Sequence, residues 1–212
     1  MNQVYGPDVS TLGGQSASTQ TTNLVALEQK NFLVIQVDNL ESDSPVLVSV
    51  WLAFIYTGNQ PQLILLPLLP TSNSSQAATI SQDFSLTSNK DVTGVFIKAI
   101  QSKFDFEFEG YFLLDNAGLS AIGQWLTGSE LEFLHDPASQ DSSIPDVLQP
   151  SKDYLSQVCK AIRNNGSEAG NQIRWAQLIP AHFRTTVSFD SLMHLWDTVS
   201  SSKKIRCEIT IP

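Results

Sequence analysis

The chain has 212 residues, of which 42% are hydrophobic and 16% are charged, and its formal net charge is −9 at pH 7. This length and hydrophobic content predict one domain with a substantial core. All four arginines lie between residues 163 and 206, so the chain offers no basic face to neutralise phosphates, which excludes a nucleic-acid-binding protein. No run of 18 apolar residues occurs, and no membrane span is therefore predicted within this chain.

The first part of the chain differs in composition from the rest. Residues 1–23 form a Gly/Ser/Thr/Gln tract that is too polar to pack, and we expect a flexible linker there. Residues 24–212 are predicted to form a single domain. The linker has two interpretations: it is the disordered start of a cytosolic protein, or it is a spacer after a membrane or lipid anchor that lies upstream.

Three strands are predicted in the first third of the domain. Phe32–Val37 is a nearly continuous apolar run, which is typical of a strand covered on both faces. Val46–Tyr56 is longer and rich in β-branched and aromatic residues, and Gln62–Leu69 is its hairpin partner across a turn. Residues 71–90 are polar and predict turns.

Helices and strands alternate in the remainder, which predicts an α/β fold: an α/β/α sandwich with a central mixed sheet. Ser, Asp and Asn residues before apolar periodic segments predict the helix starts. The predicted elements are a helix over 92–100 capped by Asn89 or Asp91, a strand from Phe104 to Leu114, a helix from the cap Asp115 to the stop Gly128, a helix capped by Ser151, a helix over 173–178, a helix capped by Ser188 and a strand over 205–211.

Few residues suggest chemistry by their pattern alone. No glycine-rich nucleotide loop, nucleophile elbow or metal-type Cys/His spacing is present. Asp105, Glu107 and Glu109 alternate in a way that indicates a solvated sheet face. Asp38 and Asp43 follow the first strand, at the edge where open α/β sheets gather ligands, although aspartates there also serve as turn and cap residues.

The two cysteines, Cys159 and Cys207, allow two interpretations. A structural disulfide is compatible with a location outside the cytoplasm. Both residues fall on the apolar phase of their predicted elements, and this favours two separate core thiols.

The order of segments resembles one known family. Asn31–Asp38 (NFLVIQVD) is similar to the opening N-I-L-L-L-G-x-D strand of the LytR–CpsA–Psr family, and the resemblance extends over residues 31–184. Further similar segments are Glu41–Ser44 (ESDS) to R-[ST]-D-[ST], Gln62–Thr71 (QLILLPLLPT) to the strand ending in S-I-P-R-D, Tyr111–Leu119 (YFLLDNAGL) to the V-[DN]-F-x-G-F strand–helix unit, Gln157–Arg163 (QVCKAIR) to Q-A-L-x-Y-V-R, and Asn171–Leu178 (NQIRWAQL) to R-x-x-R-Q-x-x-[VL].

The resemblance implies an extracytoplasmic domain anchored at the bacterial cell surface. Members of this family move glycopolymers such as teichoic acids from a polyprenyl-pyrophosphate carrier onto peptidoglycan. The implied mechanism uses Mg²⁺ held by aspartates and several arginines that clamp the pyrophosphate. Positioning and neutralisation of charge are the main requirements of phosphoryl transfer, and guanidinium groups suit phosphate oxygens.

The family's site residues are only partly present. By resemblance, Asp38 and Asp43 match the two metal aspartates, and Arg163 and Arg174 match two of the arginines, so these four are the ligand-binding candidates. Glu41 stands where the family has an arginine, which adds repulsion towards a pyrophosphate.

Two hypotheses follow from this partial match to the family's site residues. The first is a catalytically degenerate module that binds a polyprenyl-phosphate lipid or an envelope glycopolymer, or acts as a scaffold, through a groove between its apolar faces. The alternative is a phosphotransferase that moves a glycopolymer from polyprenyl pyrophosphate to the cell wall with an atypical site built on the four candidates.

Overall fold

The computed structural model describes residues 28–58, 60–133, 143–201 and 204–210. The linker predicted over residues 1–23 lies outside the described residues. The division of the chain at residue 24 therefore stays a prediction.

A six-stranded mixed sheet forms the centre of the molecule, with the spatial order β5-β4-β1-β2-β3-β6. The neighbours β1 and β4 run parallel, as do β3 and β6, and the other three pairs are antiparallel. The strands are β1 (Glu28–Val37), β2 (Leu47–Thr57), β3 (Gln62–Leu69), β4 (Gly110–Asp115), β5 (Phe183–Thr185) and β6 (Arg206–Ile209).

Eight helices lie in the described part of the chain, and none of them is long and apolar enough to cross a membrane. Their ends carry the expected caps in several cases: Asp115 accepts a hydrogen bond from the N–H of Gly118, Ser188 caps the last helix, and Gly128 ends its helix with φ 75°. The helices are α1 (Ser74–Asp83), α2 (Gly94–Phe104), α3 (Asn116–Thr127), α4 (Ile144–Val147), α5 (Gln149–Asn165), α6 (Ser167–Gln172), α7 (Trp175–Leu178) and α8 (Phe189–Ser200).

Each face of the sheet builds its own core, because successive side chains of a strand point to opposite faces. Along β1, Leu33 and Ile35 join the core formed with α1 and α2, whereas Phe32 joins the larger core formed with α3, α5 and α8. Both faces are thus covered by helices. The predicted α/β/α sandwich with a central mixed sheet is confirmed.

The prediction missed β5, α4 and α6, and it differs from the structure in two further segments. Residues 71–90 contain α1, which was missed because only Ile80 of this polar helix is buried. The strand predicted from Phe104 begins instead at Gly110: Phe104 ends α2, and Asp105 caps that helix in the left-handed conformation with φ 51°. The alternating phenylalanines nevertheless share one side, since Phe104, Phe106 and Phe108 all pack against the α1/α2 core.

Two predicted caps were also wrong. The cap of α2 is Thr93 rather than Asn89 or Asp91, and its hydroxyl accepts from the N–H of Phe96. Ser151 lies inside α5, fully buried, and its hydroxyl donates to the carbonyl of Phe133. A buried serine inside a helix needs such a partner, so Ser151 fastens α5 to the preceding loop.

The cysteines form a disulfide, and the prediction of two separate core thiols was wrong. Cys159 of α5 and Cys207 of β6 have Cα atoms 6.3 Å apart, within the range that a disulfide spans. The apolar positions of both cysteines suggested two separate thiols in the core. Because α5 packs against β6, those same positions bring the two sulfurs together.

Candidate functional site

The parallel pair β1 and β4 ends at one edge of the sheet, which we call the carboxyl edge. Val37 pairs with Asp115 at this end, so Asp38 and Asn116 are the first residues beyond the two strands. The N–H of Asn116 donates to the carbonyl of Asp38 over 3.4 Å. Open α/β sheets bind ligands outside the carboxyl ends of their strands, and this edge is therefore the candidate site.

A cavity of about 320 Å³ opens beside this edge, and we call it the edge cavity. Its polar lining consists of two amides, a hydroxyl and a carboxylate, and leucine and phenylalanine side chains form its apolar wall. Among the described residues, no lysine or arginine lines it. The lining residues are Gln36, Asn116, Ala117, Leu119, Ser120, Leu131, Glu132 and Phe133.

A chain of buried hydrogen bonds fixes the amide of Gln36, which is 2% exposed. The indole N–H of Trp51 donates to the hydroxyl of Ser49 over 2.7 Å, and that hydroxyl donates to Oε1 of Gln36 over 2.9 Å. The Nε2 of Gln36 then donates to Oδ1 of Asn116 over 2.7 Å. Each donor in this chain has a defined acceptor, so the polar side of the edge cavity is held in one arrangement.

Asp115 is a buried carboxylate at the same edge, with an exposed fraction of 1%. Its Oδ1 accepts from the N–H of Gly118 over 2.8 Å, and its Oδ2 accepts from the N–H of Leu40 over 3.2 Å. The Nδ1 of His182 lies 2.9 Å from the same Oδ2. Burying a carboxylate requires such partners, and together they fix the loop after β1, the start of α3 and the loop before β5.

Sequence analysis did not single out His182, Gln36 or Asn116. His182 lies 67 residues from Asp115, and no spacing rule connects them. The sequence indicated Asp115, but only as the N-terminal cap of a helix.

Asp38 lies where the sequence placed it, directly after β1. Its Oδ1 accepts hydrogen bonds from the N–H groups of Asn39 and Val46, each over 2.7 Å. Its own N–H donates to the carbonyl of Val46 over 3.0 Å. The side chain thus closes the loop between β1 and β2, which is the turn-forming role of aspartate.

The surroundings of Asp43 bear on the Mg²⁺ that the family resemblance implies. Asp43 is exposed, and the ammonium group of Lys90 donates to its carbonyl over 3.3 Å and to the carbonyl of Ser42. In the described ranges no group of three or more His, Cys, Asp or Glu side chains is placed to hold a metal ion.

The ammonium group of Lys90 already contacts this loop and would repel a divalent cation. One carboxylate oxygen of Asp38 already accepts hydrogen bonds from two N–H groups. The residues present therefore do not fit a magnesium site. The assignment of Asp38 and Asp43 as metal ligands stays a prediction from the resemblance, and no step proposed below uses a metal.

Arg163 lies at the opposite edge of the sheet. Its Nη1 donates to the carbonyl of Ile205 over 3.5 Å, directly before β6. The start of β6 pairs with the start of β3, and the start of β3 pairs with the end of β2. The end of β2 pairs in turn with the start of β1. Arg163 therefore lies level with the start of β1. Because β1 has ten residues, roughly 30 Å separate this level from Asp38.

Arg174 is exposed and lies in a third place. Its guanidinium carbon is 5.8 Å from the centre of the Trp125 ring, and the two line a groove separate from the edge cavity. In the described part of the chain, Asp43, Arg163 and Arg174 line three different cavities. The structure brings Asp38 to the carboxyl edge and does not bring the two arginines there.

No protein-family model matches the sequence, and no curated protein matches it by sequence. Solved structures do share its fold. Protein gbs0355 from Streptococcus agalactiae superposes with a TM-score of 0.55 at 11% identity, over 86% of this chain and 77% of that chain. TagT bound to LIIa-WTA gives 0.53 at 8% identity, over 86% and 78%, and TagT bound to LI-WTA gives 0.52 at 8% identity over the same shares.

At these identities the likeness shows the fold alone. The shared fold agrees with the resemblance of the order of segments to the LytR–CpsA–Psr family. The chain therefore folds as a LytR–CpsA–Psr-like domain.

Proposed function

We propose that this chain is an extracytoplasmic, catalytically degenerate LytR–CpsA–Psr-like domain of the cell envelope, which binds a glycopolymer at the edge cavity. The observation that carries the proposal is the lining of that cavity. Amide, hydroxyl and carboxylate groups are the partners that sugar hydroxyls require, and the apolar wall suits the C–H face of a sugar ring. Fixed polar groups beside an apolar wall are typical of a binding site for a small polar ligand.

The charges at this edge argue against pyrophosphate chemistry. A pyrophosphate in transfer needs several cations in direct contact with its oxygens. In the part of the chain that the structure describes, the edge cavity has no cationic side chain, and Arg163 lies at the far end of the sheet. Glu132 in the lining and Glu41 on the adjacent loop are both anionic. These charges support binding of an uncharged sugar unit in preference to transfer.

The apolar surface argues against a lipid chain as the main ligand. The valine, leucine and phenylalanine faces that the sequence offered for a groove pack into the two cores. Three large hydrophobic residues of the described ranges are exposed, and they lie on separate segments: Val46, Val95 and Phe189. A polyprenyl chain would find no continuous apolar surface in these ranges, which supports a glycopolymer as the partner.

Two further observations support the location and the ligand class. The Cys159–Cys207 disulfide is typical of proteins outside the cytoplasm, where thiols are not kept reduced. TagT, which shares the fold, is bound to LIIa-WTA in one solved structure and to LI-WTA in another. A cell-surface domain that recognises the sugar units of an envelope glycopolymer accounts for both observations.

The test is a calorimetric or NMR titration with N-acetylglucosamine as an uncharged sugar probe. Ser120→Ala removes the hydroxyl group that lines the edge cavity, and losing one hydrogen bond weakens affinity about fivefold. Ser156→Ala is the matched control, because Ser156 is an exposed serine of α5 outside the cavity. Absence of saturable binding, or equal weakening in the control, would overturn the proposal.

The phosphotransferase alternative is tested separately with polyprenyl pyrophosphate, in the presence and absence of Mg²⁺, on the wild type and on Arg174→Ala. The proposed function predicts no tight, Mg²⁺-dependent binding in either protein. Tight, Mg²⁺-dependent binding that is lost in the variant would refute the degenerate assignment and favour the phosphotransferase alternative.

A further inference from the structure

The sheet ends at strand β6, and we call the outer side of this strand the β6 edge. One side of β6 pairs with β3, and no strand of the described ranges pairs with the other side. The N–H groups of Arg206 and Thr210 donate to carbonyl groups on the β3 side, over 3.0 and 2.9 Å. Because the backbone groups of a strand alternate in direction, those of Cys207 and Ile209 face outward. The β6 edge therefore presents backbone donors and acceptors to a further strand.

The side chains of the same two residues hold the β6 edge in place. Cys207 is joined to Cys159 of α5 by the disulfide. Cys207 and Ile209 also pack against the larger core. The outward backbone groups of β6 are thus held in an extended conformation before any partner arrives. A strand that is already held in its bound conformation loses little entropy when it pairs.

The exposed side chains of β6 carry opposite charges. Arg206 and Glu208 lie two positions apart on the same face of the strand, and both are exposed. In the part of the chain that the structure describes, neither of them forms an ion pair. Both charges of the strand are therefore available to a partner.

This charge pattern is complementary to itself in one antiparallel register. When two β6 strands pair around a twofold axis at Cys207, Arg206 of each copy lies opposite the partner's Glu208. Registers centred on Arg206 or on Glu208 use the same outward backbone groups, but they place two like charges directly opposite each other. Opposite charges in such cross-strand pairs are stabilising and like charges are destabilising. The pattern therefore selects the register centred on Cys207.

We propose that two copies of this chain associate through their β6 edges as an antiparallel, twofold-symmetric dimer. Cys207 exchanges backbone hydrogen bonds with the partner's Cys207, and the two opposite-charge pairs flank the axis. The two six-stranded sheets then form one continuous sheet. Pairing of short edge strands buries little surface, so the dimer is weak and reversible. This association goes beyond the proposed function, and its test needs no glycopolymer.

The experiment is sedimentation equilibrium of the whole oxidised chain at concentrations up to about 1 mM, which covers weak interfaces. Salt at about 0.15 M screens the net charge of −9 per chain beyond about 8 Å. The mean mass is expected to rise with concentration. Arg206→Glu and Glu208→Arg each place like charges opposite each other, and each is expected to weaken the dimer about tenfold or more.

The two variants complement each other, which gives a sharper test. In an equimolar mixture of Arg206→Glu with Glu208→Arg, both cross-strand pairs again carry opposite charges. The mixture is expected to associate about as strongly as the wild type, although neither variant does so alone. Lys98→Glu is the matched control, because it changes the net charge as Arg206→Glu does, at an exposed position of α2. Backbone amide spectra verify that each variant is folded.

Hydrogen exchange checks the backbone pairing. The amide of Cys207 is expected to exchange more slowly as the protein concentration rises. The amide of Thr210 already donates on the β3 side, so its exchange is expected to be independent of concentration.

Four results would overturn this inference. The first is a monomer at every concentration, and the second is equal weakening by Lys98→Glu and Arg206→Glu. The third is a mixture of the two β6 variants that associates no better than either variant alone. The fourth is exchange of the Cys207 amide that does not depend on concentration.

Discussion

Reduction of the Cys159–Cys207 disulfide is expected to destabilise the domain strongly. The bond closes a loop of 48 residues between α5 and the edge strand β6. In the loop-closure treatment, a loop of this length contributes about 4 kcal/mol at 25 °C by restricting the unfolded chain. For a chain of this size, that value corresponds to a decrease in Tm of roughly 10 °C.

The assay is urea unfolding of the wild type and of Cys159→Ala/Cys207→Ala, each with and without dithiothreitol. Reductant is expected to lower the wild-type midpoint and to leave the double variant unchanged, so the variant controls for other effects of the reagent. An identical wild-type midpoint in both conditions would show that the bond does not restrain the unfolded chain as reasoned.

Three further predictions concern buried groups and close backbone contacts. Asp115→Ala removes the cap of α3 and leaves the N–H of Leu40 without its acceptor, so urea unfolding is expected to show a loss of about 3 kcal/mol; a loss below about 1 kcal/mol would contradict this. In Gly118→Ala the new Cβ would lie 2.7 Å from a backbone carbonyl oxygen, and this clash is expected to lower stability by about 2 kcal/mol. Gly94→Ala is the control, because its new Cβ meets nothing within 4 Å. That variant should change stability by less than about 0.5 kcal/mol. Burial raises the pKa of Tyr154, so the unfolded chain loses this proton near pH 10 while the folded chain retains it. The contribution of Tyr154 to stability is then expected to be constant below that pH and to fall as the pH rises through it, and an equal decline in Tyr154→Phe would disprove this cause.

Most of the fold followed from the sequence, because strands covered on both faces and amphipathic helices carry strong patterns. The failures lie where an element is short of apolar residues or where a local conformation ends it. Helix α1 buries Ile80 alone, so its polar sequence resembles a loop. Asp105 takes a left-handed conformation that ends α2, and no periodicity reveals such a stop inside an alternating apolar segment.

The candidate site was predictable only in part. Asp38 was placed correctly at the end of the first strand, because a single strand suffices for that inference. The edge cavity joins β1, the start of α3 and the segment before α4, which come together through the parallel pairing of β1 with β4 and the covering helices. Gln36 and Asn116 lie 80 residues apart, and such a contact is a property of the folded sheet rather than of a sequence motif.

The partners of Asp115 have a consequence for the cooperativity of the domain. This one carboxylate contacts Leu40, Gly118 and His182, which belong to three segments far apart in the sequence. The first turn of a helix ordinarily frays within the native state, and its amides exchange with solvent through small local openings. Here the N–H of Gly118 shares its acceptor carboxylate with the loops on both sides, so we expect its release to be coupled to their separation from that carboxylate. Hydrogen exchange at this amide should therefore report the opening of the whole carboxyl edge as one unit.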